Sequence, residues 1–377
     1  MVHTRKSDTV AITNLSAYKH NIQKIISYIG DSVKLMVVVK GNAYGHGMVD
    51  CARTAIQAGA SWLGVALSSE GAELRKAGIT VPILVLSQES RDYLDVLIDN
   101  NLTISLSSFL MLQELNKILE PGGKTCTVHV NVDTGMGRVG VKSDEAERLI
   151  EKAKIFPAIT VGGIYSHFCC ADEKNDPFSQ RQIEQFTTII QNLEQNGLRP
   201  GIVHMCNSAG TLRFPEVHFD LVRAGIMTYG LIPYEGSEQT LVLEPVLSVE
   251  SKITFIKEVP TGTSISYGST FITKRSSRLA TVPIGYADGY DRHLSNRGKA
   301  IVNGVAVPVA GRITMDQTVF DITDAGDVHE GDTITLIGSD GNEKITVEDH
   351  ARIVDTISHE IATGITSRVS RSVIPPS

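Results

Sequence analysis

Eight apolar or alternating runs recur at residues 33 to 39, 62 to 67, 82 to 87, 102 to 107, 126 to 132, 160 to 168, 202 to 206 and 217 to 223, and this recurrence restricts the fold more than any other feature. Runs such as LMVVV and PILVLS are apolar on both faces, the pattern of parallel strands covered by helices. Between several runs the apolar residues take helical spacing: Ala146, Leu149, Ile150 and Ala153 share one face, and Ile183, Phe186, Ile190 and Leu193 another, the latter ended by Gly197. Strand and helix alternate, which predicts an α/β fold with a (β/α)8 barrel of the TIM type over residues 1–240; an open doubly wound sheet is the alternative. After about residue 240 short alternating segments at 248–257, 278–284, 299–309, 317–322 and 333–338 are separated by Gly, Asp and Asn, which predicts a mostly β domain over 241–377. No repeat or long linker intervenes, so the two domains are expected to join closely around residues 232–245.

Bulk properties narrow the partners. Hydrophobic residues at 42% and charged residues at 20%, with no apolar run of ~18 residues, exclude a helical membrane protein. Arg5, Lys6, Asp8 and Lys19 interrupt any signal-peptide core, so a cytoplasmic location is expected. A net charge of −7 with the basic residues scattered argues against nucleic acid and for a small-molecule partner. Five cysteines without C-x-x-C spacing suggest reduced, buried thiols, with neither a disulfide framework nor a structural zinc site.

In a (β/α)8 barrel the chemistry sits at the C-terminal ends of the strands. Lys40 follows the first run and opens Lys40-Gly41-Asn42-Ala43-Tyr44-Gly45-His46-Gly47. A desolvated lysine has a lowered pKa and forms Schiff bases with carbonyl cofactors, whereas a strand-end lysine reaching solvent is inert. Arg138 follows the fifth run, His167 lies in the sixth, Asn207 and Ser208 follow the seventh, and Arg223 lies in the eighth. Phosphate sites in such barrels often flank strands seven and eight, where Ser208 and the turn Gly225-Ile226 offer a hydroxyl and backbone N–H groups. A phosphorylated aldehyde would suit both ends of such a site.

The chain resembles the bacterial alanine racemases, pyridoxal-phosphate enzymes, nearly from end to end. The resemblance rests on VVVKGNAYGHG (37–47), VDTGMGRVG (132–140), IYSHF (164–168), HMCNSAG (204–210), LVRAGI (221–226), SYGST (266–270), IGYADGYDR (284–292) and GRITMDQT (311–318). It implies that Lys40 carries pyridoxal 5'-phosphate and is the base on the D face of the substrate, with Tyr267 the opposite base, contributed by the C-terminal domain of a partner subunit in a homodimer. It further implies a hydrogen-bond chain from Tyr267 to His167 to Arg223, with His167 stacked on the pyridine ring and Arg223 facing the pyridine nitrogen. A guanidinium stays protonated and cannot give that nitrogen a proton, which disfavours transamination. Arg138 is expected at the cofactor hydroxyl and the substrate carboxylate, Met315 and Asp316 in the substrate pocket, and Tyr286 at its entrance. Asn207 is expected among the cofactor contacts, and Tyr44, Ser208, Gly225 and Ile226 at the phosphate.

Two positions depart from the family pattern. Many members carry a lysine, often carbamylated, where this chain has Asn131, so a chloride ion beside Asn131 and Arg138 is expected to replace the missing negative charge. The family usually has a tyrosine near the C-terminus that touches the phosphate; His359 stands there. His359 keeps a hydrogen-bonding group but gives a more polar pocket, so serine or a broader set of amino acids is the alternative to alanine as substrate. A non-catalytic pyridoxal-phosphate carrier would lack residues 241–377, and a barrel-type decarboxylase would place an acidic residue at the ring nitrogen and a cysteine near the C-terminal domain, where none follows Cys206.

Overall fold

The computed structural model describes residues 7–120, 123–174 and 176–376; Arg5 and Lys6 lie outside them. Eight parallel strands form one sheet in the order Leu221–Ala224, Lys34–Val38, Trp62–Val65, Ile83–Val85, Thr103–Leu106, Cys126–Asp133, Ile159–Tyr165 and Ile202–His204. Its two ends meet where the Asp220 N–H donates to Val203 O and the Arg223 N–H to Cys206 O, both at 3.0 Å, so the sheet curls into a nearly closed barrel rather than the open alternative. All eight strands fall within the eight apolar runs or one residue beyond them. Strands such as Trp62–Val65 and Ile83–Val85 are buried at every residue because helices cover the outer face and side chains fill the inner one. Met36, Trp62, Leu84, Tyr165 and Leu221 pack together as one cluster of that core.

Two helices show why the periodicity was readable. Ala146–Lys154 buries Ala146, Leu149, Ile150 and Ala153, while Pro177–Gln195 buries Ile183, Phe186, Ile190 and Leu193. The latter ends before Gly197, whose φ of +64° is the left-handed conformation that stops a helix.

The chain divides into two compact units, one made of Tyr18–Ala43 with Met48–Glu244, the other of the residues before Tyr18 together with Tyr44–Gly47 and those from Pro245 onward. This differs from a simple boundary at 240. Strand Val10–Asn14 pairs antiparallel with Leu247–Lys252 and parallel with Ser370–Ile374, so it belongs to the second unit. Its alternating burial, with Ala11 and Thr13 inside, marks a strand, but nothing local names partners hundreds of residues away.

The second unit is mostly β. Its larger sheet runs Val305–Pro308, Lys299–Val302, Thr333–Asp340, Leu247–Lys252, Val10–Asn14 and Ser370–Ile374, with Glu343–Ile345 paired to Thr333–Asp340. A second sheet joins Phe255–Val259, Ser277–Val282 and Thr318–Asp321. Two helices were not anticipated, Val347–Val354 and Ser358–Gly364. The first begins with a reciprocal cap: the Asp349 N–H donates to Thr346 Oγ1 at 3.1 Å and the Thr346 N–H to Asp349 Oδ2 at 2.9 Å.

Among the described residues no helix is long and apolar enough to cross a membrane. Cys51, Cys126 and Cys206 are buried, but Cys169 and Cys170 are partly exposed, which corrects the expectation of five buried thiols. The sixth strand ends at Tyr165, not at residue 168, so His167 and both cysteines lie on the loop beyond it.

Candidate active site

Lys40 stands where the first barrel strand ends. The next four residues, Gly41, Asn42, Ala43 and Tyr44, have φ of 62°, 55°, 55° and 52°, one turn of left-handed helix. Three of them carry a Cβ, and each costs about 1–2 kcal/mol in that conformation, so the turn must be held from outside. Glu70 Oε1 accepts from the Gly41 N–H at 2.7 Å, Asn42 Oδ1 from the Met48 N–H at 2.9 Å, and Val39 O from the Ala43 N–H at 2.8 Å. Burial lowers the pKa of the Lys40 amine; Arg138 lowers it further, Glu70 opposes, and Arg223 adds to the lowering. Lys40 itself is half-buried at the strand end.

Arg223, on the strand paired with that of Lys40, is buried and is the hub of the barrel mouth. Its Nη2 donates to Ser166 O at 2.8 Å, Met205 O at 2.9 Å and His167 Nδ1 at 3.0 Å, and its Nη1 donates to His204 Nδ1 at 2.7 Å. Burial brings the guanidinium down to about 10, which leaves it charged at neutral pH. The His167 pKa is held well below its ordinary value by burial first, then by Arg223, Arg138 and Lys40. A neutral imidazole that accepts at Nδ1 carries its proton on Nε2, so His167 presents an N–H donor on its far side.

The same logic runs on through two histidines that the motifs did not single out as functional. His204 accepts at Nδ1 and therefore donates from Nε2 to His129 Nδ1, 2.9 Å away. Burial, with Arg223 in support, lowers His129 to about 3 and His204 well below its ordinary value, so both are neutral. The sulfur-free path Arg223–His204–His129 ends against Trp62, whose ring centroid is 5.1 Å from that of His129. Gly163 makes room for it, since a Cβ there would lie 2.7 Å from His129 Nδ1 and Cε1. The available signal was a histidine within the apolar strand Cys126–Asp133 and another ending the strand Ile202–His204, together with the pair Gly162-Gly163 on the strand between them.

An anion cup forms at strands seven and eight. Asn207 caps the helix Ser208–Arg213 by accepting from the Gly210 N–H at 2.9 Å, which places Ser208 at its first turn. Ser208 Oγ accepts from the Gly225 N–H at 3.0 Å and the Met227 N–H at 3.4 Å. Both lone pairs of that oxygen are then occupied and its O–H remains to donate. The N–H of buried Ile226 has no acceptor among the described residues. A hydroxyl donor, an unsatisfied N–H and a helix N-terminus make a cradle for a phosphate, and the low-pKa amine of Lys40 on the adjacent strand suits an aldehyde. The residues present thus fit pyridoxal phosphate.

Arg138 is exposed on its loop, while Asn131 nearby in sequence is buried. The remaining candidates lie in the second unit. Tyr44 and His359 come together there, ring centroids 5.8 Å apart. Tyr267 is 71% exposed on a turn in which Ser266 and Gly268 have φ of 61° and 72°, and Ser266 Oγ donates to Arg312 O. Tyr286 and Met315 are also exposed; their loops are locked together by Tyr286 N–H to Thr314 O at 3.1 Å and Ala287 N–H to Met315 O at 3.0 Å. Gly285 permits this, since a Cβ would lie 2.3 Å from Thr314 O and Met315 O. Asp316 pairs with Arg368 at 2.7 Å, and Arg368 Nε with Asp288 at 3.1 Å.

Known proteins are similar to this chain over nearly all of its length. The family model for the alanine racemase N-terminal domain matches residues 13–233 and that for the alanine racemase C-terminal domain residues 246–373. Alanine racemase 2 of Caldanaerobacter subterraneus subsp. tengcongensis is 41% identical over 96% of this chain and 93% of its own length. Alanine racemase 2 of Bacillus subtilis is 40% identical over 96% and 93%. Among solved structures, alanine racemase from Bacillus anthracis with bound L-Ala-P superposes with a TM-score of 0.91 at 38% identity, covering 98% of this chain and 95% of that one. With both family models matched in order and close relatives aligned over nearly all of their length, this chain belongs to the alanine racemase family.

Proposed function

We propose that this chain interconverts L- and D-alanine with pyridoxal phosphate held at Lys40, and that Lys40 and Tyr267 are its two bases. Racemisation removes the Cα proton from one face and returns it on the other, so a group must serve each face. Bound pyridoxal phosphate supplies the electron sink that makes that proton removable. The protein's own groups do the rest. The lowered pKa of Lys40 enlarges its unprotonated fraction near neutral pH, which both bonding to an aldehyde and accepting a proton require. Arg223, still a cation, holds the mouth together and has no proton to hand to a ring nitrogen. His167, neutral with its proton on Nε2, is suited to donate to a phenolate, the form in which a phenol of ordinary pKa ~10 acts as a base. Ser208, Gly225, Ile226 and the Tyr44–His359 pair take the phosphate, with Asn207 shaping the cup. Arg138, Met315 and Asp316 take the substrate, and Tyr286 the entrance.

The observation that carries this reading is the 3.0 Å Arg223–His167 bond in the same barrel mouth as an amine destabilised as a cation. Exposed Tyr267, with Tyr286 and Met315 on neighbouring loops, supports a homodimer in which each tyrosine serves the site of the other copy. A chloride beside Asn131 and Arg138 remains part of the proposal, resting on the family lysine that Asn131 replaces; replacing chloride by acetate should then lower activity. We place the enzyme in the cytoplasm. A second reading, serine or broader specificity, is favoured by His359 against Tyr44. Racemisation of L-alanine and L-serine, followed by chiral separation with Lys40→Ala and Tyr267→Phe as controls, tests both. Absence of D-alanine removes the first; serine turnover below ~1% of alanine, about 2.7 kcal/mol of discrimination, removes the second.

A further inference from the structure

Cys169 and Cys170 are adjacent in sequence, partly exposed, and have their Sγ atoms 2.9 Å apart. They lie on the loop that leaves the sixth strand, two and three residues beyond His167. That loop is tied to the barrel mouth through one buried side chain. Gln182 Oε1 accepts from the Cys169 N–H at 3.2 Å, and Gln182 Nε2 donates to His167 O at 3.0 Å and to Thr134 Oγ1 at 3.1 Å. Thr134 Oγ1 in turn bonds Ser166 Oγ at 2.7 Å, and Ser166 O accepts from Arg223. A displacement of the Cys169 peptide is therefore felt at His167 and Arg223.

We propose that Cys169 and Cys170 form a modification site for low-molecular-weight disulfides, closing to a vicinal disulfide that loosens the Gln182 clamp on His167 and slows turnover. The thiol of Cys170 is pushed up to about 12, by its hydrogen bond to Cys169 first, then by burial, with the Cys169 and Asp176 charges adding to it, which leaves the first attack to Cys169. The Cys169 thiolate attacks one sulfur of the reagent RSSR, forming Cys169–S–S–R and releasing RS⁻. Cys170 gives up its proton and attacks the Cys169 sulfur, expelling the second RS⁻. Two protein thiols are oxidised by two electrons, one external disulfide is reduced to two thiols, and the two thiol protons end on RSH.

Geometry makes the product both consequential and reversible. Neighbouring Cα atoms are ~3.8 Å apart across a trans peptide, whereas disulfides span ~4.4–6.8 Å. The eight-membered ring is strained, and strained disulfides are the readily reduced, regulatory ones. The peptide between the cysteines must turn to close it, and the Cys169 N–H is the bond it pulls from Gln182. Loss of one such hydrogen bond predicts a roughly fivefold fall in kcat.

The closing half stands on the cysteines alone; the coupling to turnover rests on the racemase reading. The test treats the folded, cofactor-loaded enzyme with oxidised glutathione and follows peptide mass and alanine kinetics. The expected result is a Cys169–Cys170 peptide lighter by two hydrogens, kcat lowered about fivefold and restored by dithiothreitol. Cys170→Ser should stop at a stable glutathione adduct on Cys169, and Cys169→Ser should form neither product. In Gln182→Ala the disulfide should form with no further effect on kcat, which a merely structural role of the loop would not produce. A wild type that remains unmodified or stops at the mixed adduct overturns the site. A disulfide that leaves kcat unchanged, or an equal loss of activity in Cys169→Ser, overturns the coupling. The mass measurement decides the site even if alanine is not turned over.

Discussion

Gly163→Ala should damage the barrel mouth from beneath. The new Cβ would lie 2.7 Å from His129 Nδ1 and Cε1 and 2.8 Å from Cγ, closer than carbon tolerates, so the ring must move. It has nowhere to go without loss, because Nδ1 is bonded to His204 at 2.9 Å and the ring is packed on Trp62. Overpacking costs about 1–3 kcal/mol, and a broken buried hydrogen bond adds about 1 kcal/mol or more, for a total of about 2–4 kcal/mol. For a unit of this size that is a fall in Tm of about 5–15 °C. Trp62 is the only tryptophan, so its fluorescence reports the unfolding of this unit directly. The companion variant Gly163→Ala with His129→Ala removes the obstacle, and its cost should be below the sum of the two single costs by about 1 kcal/mol. A Tm within about 2 °C of wild type for Gly163→Ala, or strict additivity in the double variant, would refute the reasoning.

Further outcomes follow from other parts of the site. His129 and His204 are buried, His167 half-buried, and all three are neutral with folded pKa values below the ordinary ~6.5; below that pH the unfolded chain binds protons that the folded one does not, so stability is full above ~6.5 and falls with pH by up to about 1.4 kcal/mol per pH unit for each group. Thermal melts should drop steeply between about pH 6.5 and 5.5, less so in His129→Gln, and a flat Tm there contradicts the assignment. Tyr267→Phe should keep cofactor absorbance but lose racemisation by about a hundredfold or more, and dilution to verified monomers should do the same if sites are shared. His359→Tyr should raise the alanine-to-serine ratio of kcat/KM by about tenfold or more, one polar contact's worth of discrimination; an unchanged ratio would clear His359 of a role in specificity.

Much of this was legible in the sequence because barrel strands are locally apolar and their helices locally periodic. The runs around residues 33–39 and 82–87 needed no knowledge of their partners to be read as buried strands. Strand Val10–Asn14 had no such independence, since its place depends on Leu247–Lys252 and Ser370–Ile374. The left-handed turn after Lys40 was invisible because Asn42, Ala43 and Tyr44 adopt a conformation their side chains oppose. Thr346 and Asp349 did spell a helix start, but the β pattern before them masked it. Lys40, His167, Ser208 and Arg223 stood out as polar residues at strand ends, whereas His129 and His204 gain meaning only when three strands bring them within 2.9 Å of each other.

The strand at Val10–Asn14 also sets a timetable. As the chain is synthesised, this segment emerges long before either neighbour exists, and about 360 residues separate it from Ser370–Ile374. At ~5–20 residues per second one edge waits roughly 12–50 s for Leu247–Lys252 and the other roughly 20–70 s for Ser370–Ile374, while the barrel residues beyond it are already able to fold. The nascent chain therefore carries an open strand edge for most of its synthesis, an opening for chaperones and for mispairing between neighbouring ribosomes. Rewiring the gene so that translation starts near Pro245 and the segment with Val10–Asn14 follows Ser377 would bring the strand and its two partners together in sequence and shorten that exposure several-fold.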